Sequence, residues 1–342
     1  MATDGGGPRL TNAHPALRAF WHPVACSTDV PEGAVVGVRL LGEPWVLFRT
    51  DGRVAALYDR CPHRRVPLSA GRVVGDTVEC GYHGYRFATD GTCVAIPALD
   101  PDTPIPGKAC VAQAEVEEQF GMIWIAPEPP RTPLLDDTPY RDSGFDWFVC
   151  GPFTTPVSAA VLTDNFLDPS HFPFVHAATF GSEDDGRPVV EVARDGWTFV
   201  QRTSRWTGAP QLDGNVEMHY RYTCAAPFVV ELLLTGPSMG VNAIWSFVRP
   251  DADGTSTWWL VQAYDDLGHD PALIAAAADF QTRVGVEDLA ILERMDDPVI
   301  ALDLREEVHT KADLGTVEYR RLLRDVVGRA GHDLPLPEGA RT

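Results

Sequence analysis

The sequence predicts an α+β protein: a small all-β domain, then a larger one with helices packed on one face of a broad antiparallel sheet. Three observations carry this. Before about residue 130 short apolar runs alternate with turn residues and no long helical period appears. Long alternating runs fall between 198 and 264. From Pro271 onward apolar residues recur at helical intervals.

Taken in order, residues 1–15 are rich in Gly, Asn and Pro and predict a loose lead, drawn here to residue 17. The β pattern of a domain over 18–128 follows. VVGVRLL (35–41), PWVLFRT (44–50) and VAALYD (54–59) are short apolar runs parted by Gly-Glu-Pro and by Asp51-Gly52, a hairpin signal. FGMIWIAP (120–127) closes the domain. Residues 127–146 are dense in Pro and Asp and predict a linker or domain-edge loop, after which 129–342 forms the second domain. Its strands are expected at 198–206, 216–224, 228–236, 241–250 and 256–264, and polar loops at 182–188 and 265–271 could border a cavity mouth. Ile274, Phe280, Val284, Leu289, Leu292 and Met295 mark one helix, and a further helix is expected over about 316–330.

The chain has 342 residues, ample for a buried core, and 44% hydrophobic content, ordinary for a globular protein. A net charge of −20 repels phosphate backbones, so nucleic acid is excluded as a partner. No apolar run reaches the roughly 20 residues that span a bilayer, and the N-terminus predicts no secretion signal. Seven scattered cysteines argue against a disulfide framework and for a reducing cytoplasm.

Two clusters carry chemistry. In the first, Cys61-Pro62-His63 precedes Cys80-Gly81-Tyr82-His83, two Cys-His pairs on neighbouring loops. Thiolates with imidazoles suit zinc or an iron–sulfur cluster. Zinc fingers usually pair like with like, whereas a Rieske [2Fe–2S] centre takes one Cys and one His from each loop. The second cluster is LTDNFLDPSHFPFVH (162–176), with His171 and His176 five apart, Asp168 three before the first and Asn165 three before that. The spacing does not fit one helical face, and Pro169 and Pro173 interrupt a helix. A helix ending near Asp168 and an irregular turn bringing both imidazoles together are therefore expected. Two imidazoles plus a carboxylate make a facial triad for iron with open positions for oxygen. The other cysteines, Cys26, Cys93, Cys110, Cys150 and Cys224, read as ordinary thiols.

The stretch Cys61-Pro62-His63 with Cys80-Gly81-Tyr82-His83-Gly84-Tyr85-Arg86-Phe87 resembles the Rieske motif of the ring-hydroxylating and demethylating oxygenases. It departs mildly, with Gly81 where proline is frequent and Tyr85 where tryptophan or leucine is. Asn165-x2-Asp168-x2-His171-x4-His176 is similar to the mononuclear iron motif of the same family. The resemblance runs from about Trp21 to about Arg329 and looks closest to the branch of the vanillate and dicamba O-demethylase oxygenase components. It implies a Rieske domain followed by a helix-grip (START-like) catalytic domain. It implies cluster ligands Cys61, His63, Cys80 and His83, and iron ligands His171, His176 and an aspartate on a C-terminal helix. Asp288 is the best match for that aspartate, Glu287 its rival, and Asp296 and Asp297 are further alternatives.

The resemblance further implies an oxygenase fed with electrons from NAD(P)H through a ferredoxin or flavin reductase, using O2 to hydroxylate or demethylate a small aromatic or heteroaromatic substrate. N-oxygenation and ring dihydroxylation stay open. A Rieske electron carrier with a ligand-binding domain is the reading of a different class; a pure carrier would need only about residues 18–127. The family's homotrimer sets the cluster of one subunit against the iron of the next, with Asp168 bridging His83 and His171. Arg64, Arg65, Arg72 and Arg86 form a candidate basic patch for the electron donor. Pocket walls are expected from Phe166, the 172–180 segment, Asn242, Trp245, Trp259 and Tyr264.

Overall fold

A computed structural model describes residues 7–141, 144–181, 188–207, 216–237 and 239–328. The chain forms two units. One is Arg18–Pro133; the other is Leu134 onward together with the start of the chain to Leu17.

The Arg18–Pro133 unit is all β. Strands β1 (His22–Cys26), β2 (Val35–Leu40), β3 (Glu43–Thr50), β4 (Arg53–Tyr58), β5 (Arg72–Val74), β6 (Thr77–Glu79), β7 (Arg86–Phe87), β8 (Cys93–Ala95), β9 (Gln113–Gln119) and β10 (Met122–Ala126) make two sheets. One has the order β1-β10-β9-β4-β3-β2 and the other β5-β6-β7-β8. Asp51-Gly52 turns β3 into β4 with both residues at positive φ, as an Asp-Gly hairpin requires. The core of Val46, Phe48, Leu57, Leu68, Val78 and Phe87 also takes in Cys61 and Cys80.

In the larger unit, α1 (Thr138–Arg141) precedes β11 (Asp146–Thr155), α2 (Ala159–Leu167) and the short α3 (Phe172–Val175). Then come β12 (Glu191–Asp195), β13 (Thr198–Thr207), β14 (Val216–Ala225), β15 (Val229–Thr235), β16 (Asn242–Ala252) and β17 (Thr255–Tyr264). Helices α4 (Pro271–Leu292) and α5 (Leu314–Gly328) follow. The seven strands form one antiparallel sheet, β11-β17-β16-β15-β14-β13-β12. Register sets its faces: Gln201, Tyr222, Leu232, Ile244 and Gln262 lie side by side, and Asn242 pairs with Tyr264 on the same face. Helix α2 covers this face, since Gln201 Nε2 donates to Leu167 O at 2.9 Å. So does α4, since Gln281 Nε2 donates to Tyr264 Oη at 3.2 Å.

Two expectations change. The lead is not loose from residue 7 on. Leu10 and Leu17 are buried, Leu302 N–H donates to Pro8 O at 2.9 Å, and Arg9 bridges to Ala301. Asn12 is buried, with Nδ2 within hydrogen-bond distance of Ala252 O (3.0 Å), Thr255 O (2.7 Å) and Ser256 Oγ (3.1 Å). Its Oδ1 accepts from Ala159 N at 3.0 Å, so the start of the chain clamps the β16–β17 hairpin to the first turn of α2. The second change is β11, which begins inside the expected linker. A bulge between Cys150 and Phe153 breaks its alternation, which hid the strand. The loop expected at 182–188 lies outside the described residues except Pro188.

Candidate metal centres

In the smaller unit the two Cys-His loops share one backbone design. Cys61 N–H donates to Val66 O at 2.9 Å and Arg65 N–H to Cys61 O at 2.9 Å. Cys80 N–H donates to Tyr85 O at 2.8 Å and Gly84 N–H to Cys80 O at 3.0 Å. The fourth residue after each cysteine has positive φ: Arg65 at 61° and Gly84 at 71°. Both thiols are buried, and the His63 and His83 rings are exposed with centroids 4.5 Å apart. Burial pushes the Cys61 thiol up to about 11, so metal binding there must displace a proton. Two thiols below and two imidazoles above, on two matched loops, fit the donor set of a Rieske cluster.

The two departures from the family motif have local reasons. A Cβ on residue 81 would sit 2.8 Å from Ala70 O, so the close backbone approach selects glycine. Tyr85 stacks on His63 with centroids 4.8 Å apart and planes 8° apart, so it supports a cluster ligand as a larger aromatic would. Arg64, Arg65 and Arg72 are exposed and Arg86 is partly buried; Arg72 pairs with Glu79 at 2.8 Å.

In the larger unit Ser158 caps α2, and the helix ends at Asp168, as the prolines lead one to expect. Pro169 and Pro173 do not simply break structure. Each sits in the first turn of a new short helix, where a missing N–H costs nothing. These two turns swing His171 and His176 together, their Nε2 atoms 3.1 Å apart. Asp288 comes from α4 with Oδ1 3.3 Å from each Nε2. The donor atoms of His171, His176 and Asp288 all lie within 4.8 Å of one another, and they are the one such group among the described residues. Two nitrogens and one oxygen converging on one point suit a divalent iron.

Electrostatics agree. Burial alone would lower the His171 pKa, but Asp168 and Asp288 outweigh it and raise it to about 9. Burial would raise Asp288, but hydrogen bonds from His171 and His176 hold it at about 2. The pocket is built for positive charge. Asn165 Nδ2 donates to Asp288 Oδ1 at 2.9 Å, so Asn165 touches the carboxylate itself. Asp168 accepts from Ser170 N–H at 2.7 Å and lies 3.7 Å from His171 Nδ1. Glu287, the rival for Asp288, faces the other side of His176, with Oε2 2.8 Å from Nδ1.

The helix-covered face of the sheet supplies Tyr220, Tyr222, Asn242 and Tyr264. Phe166 meets Tyr222 edge-on at 6.3 Å, and Phe172 lies 6.0 Å from Tyr220. Asn242 Oδ1 and Tyr222 Oη are buried without a hydrogen-bond partner among the described residues. Trp245 and Trp259, expected as pocket walls, are on the opposite face. Trp245 pairs with Glu231 and Val261, Trp259 with Phe247, and Trp245 stacks on Trp147 at 5.2 Å. Arg249 lies over Trp259 at 5.3 Å. Tyr220 and Tyr222 were missed; their alternation along β14 was visible, but nothing in the sequence says which face the helices cover.

Among known proteins, the family described as the Rieske [2Fe-2S] domain matches residues 20–115. The vanillate O-demethylase oxygenase C-terminal domain matches residues 156–329. Methylxanthine N1-demethylase from Pseudomonas putida is 29% identical over 326 residues, 91% of this chain and 89% of that protein. The iron–sulfur subunit of the toluene-4-sulfonate monooxygenase system of Comamonas testosteroni is 28% identical, over 90% of this chain and 96% of its own. The structure of the Pseudomonas putida N1-demethylase with caffeine superposes with a TM-score of 0.80 at 27% identity, over 97% of this chain and 99% of that one. Dicamba monooxygenase bound to dicamba shares the fold, with a TM-score of 0.78 at 21% identity over 91% and 98% of the two chains.

Proposed function

The chain belongs to the Rieske non-heme iron oxygenases with a catalytic domain of the vanillate O-demethylase type, and from that premise we propose that it removes methyl groups from a small N- or O-methylated heteroaromatic substrate. Its class is that of the oxygenase in a Rieske system, working with a [2Fe–2S] cluster, a mononuclear iron and an electron-transfer partner. The observation that carries the assignment of the iron is the convergence of His171, His176 and Asp288 within 4.8 Å. Cys61, His63, Cys80 and His83 would hold the cluster. When bound, the cluster supplies electrons singly and the iron activates O2.

The residues divide the remaining work. Asn165 holds one oxygen of Asp288, which keeps that carboxylate turned toward the two imidazoles. Phe166, Phe172, Tyr220 and Tyr222 form an aromatic wall that excludes water and receives a flat ring. Asn242 Oδ1, buried and unpartnered, selects a substrate with an N–H or O–H donor. One oxygen atom enters a methyl C–H bond, the other leaves as water, and the hydroxymethyl product loses formaldehyde. The relative that demethylates methylxanthines supports a nitrogen heterocycle as substrate.

Asp168, at the turn before His171, is proposed to join the cluster of one protomer to the iron of its partner in a homotrimer. The exposed Phe174, 82% accessible and two residues from Phe172, supports an interface beside that turn. Reduction is proposed to come from a ferredoxin or flavin reductase docking near Arg64 and Arg65. All seven cysteines are free, which supports a reducing cytoplasm.

The test is oxygen uptake by the reduced protein across N-methylxanthines, N-methylpyrimidines and methoxybenzoates. Substrate-triggered uptake with equimolar formaldehyde and a product 14 mass units lighter is expected. A product 16 units heavier with no formaldehyde would replace demethylation by ring hydroxylation.

A further inference from the structure

The two imidazoles of the iron site are held differently from behind. His171 Nδ1 lies 3.7 Å from Asp168 and makes no hydrogen bond among the described residues. His176 Nδ1 lies 2.8 Å from Glu287 Oε2, a charge-assisted hydrogen bond. Glu287 is in turn fixed by Thr179, whose hydroxyl is 2.9 Å from the same oxygen. Phe180 stacks on the His176 ring at 4.8 Å and 23°. The N–H groups of Thr179, Phe180 and Gly181 all point to His176 O, at 2.9, 3.1 and 2.8 Å. One histidine is thus gripped at its edge, its face and its backbone.

We propose that Glu287 is a positioning residue for the mononuclear iron, acting through His176; the inference rests on the iron site proposed above. An acceptor at Nδ1 keeps the proton there, so the lone pair at Nε2 points at the metal. Glu287 also contributes a second negative charge beside Asp288, so that a divalent ion in this buried pocket is neutralised within the chain. Glu287 does not bind the metal: its carboxylate occupies the Nδ1 side of the ring, whereas Asp288 faces both Nε2 atoms. Residues 287 and 288 are about 100° apart on α4, so two neighbours serve the front and the back of one imidazole. The grip falls on His176, whereas Asp168 stands behind His171 at 3.7 Å and caps the turn through Ser170 N–H.

The test is anaerobic Fe(II) affinity, by chelator competition, in protein with its [2Fe–2S] cluster intact. Glu287→Gln keeps an acceptor and the shape but removes the charge; Glu287→Leu removes both; Thr179→Val loosens the carboxylate. Expected losses of Fe(II) affinity are about tenfold for Glu287→Gln and about a hundredfold for Glu287→Leu, with Thr179→Val a few-fold weaker. The cluster's visible spectrum and the melting temperature of iron-free protein should not change. Wild-type affinity in all three variants, with wild type itself binding a third iron, would overturn the role of Glu287 alone. A wild-type protein that binds no iron beyond the cluster would overturn the site as well.

Discussion

A single oxygen atom concentrates the residue-scale argument. Asp288 Oδ1 accepts from Asn165 and faces both Nε2 atoms, so it has one orientation in which all three are served. Removing Asn165 frees that carboxylate to rotate. Asn165→Ala should keep the cluster and most of the iron yet lower turnover about tenfold, the usual effect of losing a partner behind a metal ligand. Product formed per electron supplied is the measurement, and an unchanged ratio and rate would contradict it. Gly84 is the matching case in the cluster unit. Its φ of 71° and a Pro97 carbon 3.0 Å from any added Cβ predict that Gly84→Ala costs about 1–2 kcal/mol, read as a lower melting temperature and lower cluster content. Much of this scale was legible, since the histidines and cysteines stand at diagnostic spacings. The resemblance picked Asp288 over Glu287, but the residues alone did not, because adjacent helical carboxylates carry the same chemistry and only packing turns one toward both Nε2 atoms and the other toward Nδ1.

Among the elements, α2, the two short turns after it and α4 carry the candidate iron site, and both helix ends that matter were visible in the sequence. Proline after Asp168 closes α2, and Asp270 with Pro271 opens α4. What escaped was the sense of the sheet. Strands β16 and β17 are largely buried on both faces, so burial does not part a wet face from a dry one, and alternation sorts residues into two sets without naming them. Trp245 and Trp259 went to the wrong set for that reason. The clamp on α2 escaped too, because a glycine-rich start reads as loose. Asn12 nevertheless satisfies groups more than a hundred residues away. Asn12→Ala would take a hydrogen bond from two part-buried carbonyls and from the buried Ala159 N–H, at about 3 kcal/mol. Chemical denaturation should show the larger unit losing that stability while the cluster's visible spectrum persists to the same denaturant concentration.

At the scale of the whole molecule, the proposed homotrimer would pass electrons between protomers. Asp168→Asn should retain both metals but uncouple cluster oxidation from product in a single turnover. A complementation experiment separates the routes. A chain with Cys80→Ala lacks the cluster and one with Asp288→Ala lacks the iron, so each alone is inactive. Coexpressed, they should recover roughly a quarter of wild-type activity if neighbours in a ring exchange electrons, and none if each protomer works alone. The net charge of −20 bears on the same scale: if the electron donor docks at the arginines at 64 and 65, as proposed above, reduction should slow as salt rises.

Because the start of the chain is stitched to residues near 255 and 301, the electron-accepting unit is spliced into the catalytic one and does not simply precede it. Chimaeras that exchange one oxygenase's redox half for another's should therefore graft residues 18–133 between two retained flanks. A head-to-tail fusion would discard the strap that ties the first turn of α2 to the β16–β17 hairpin.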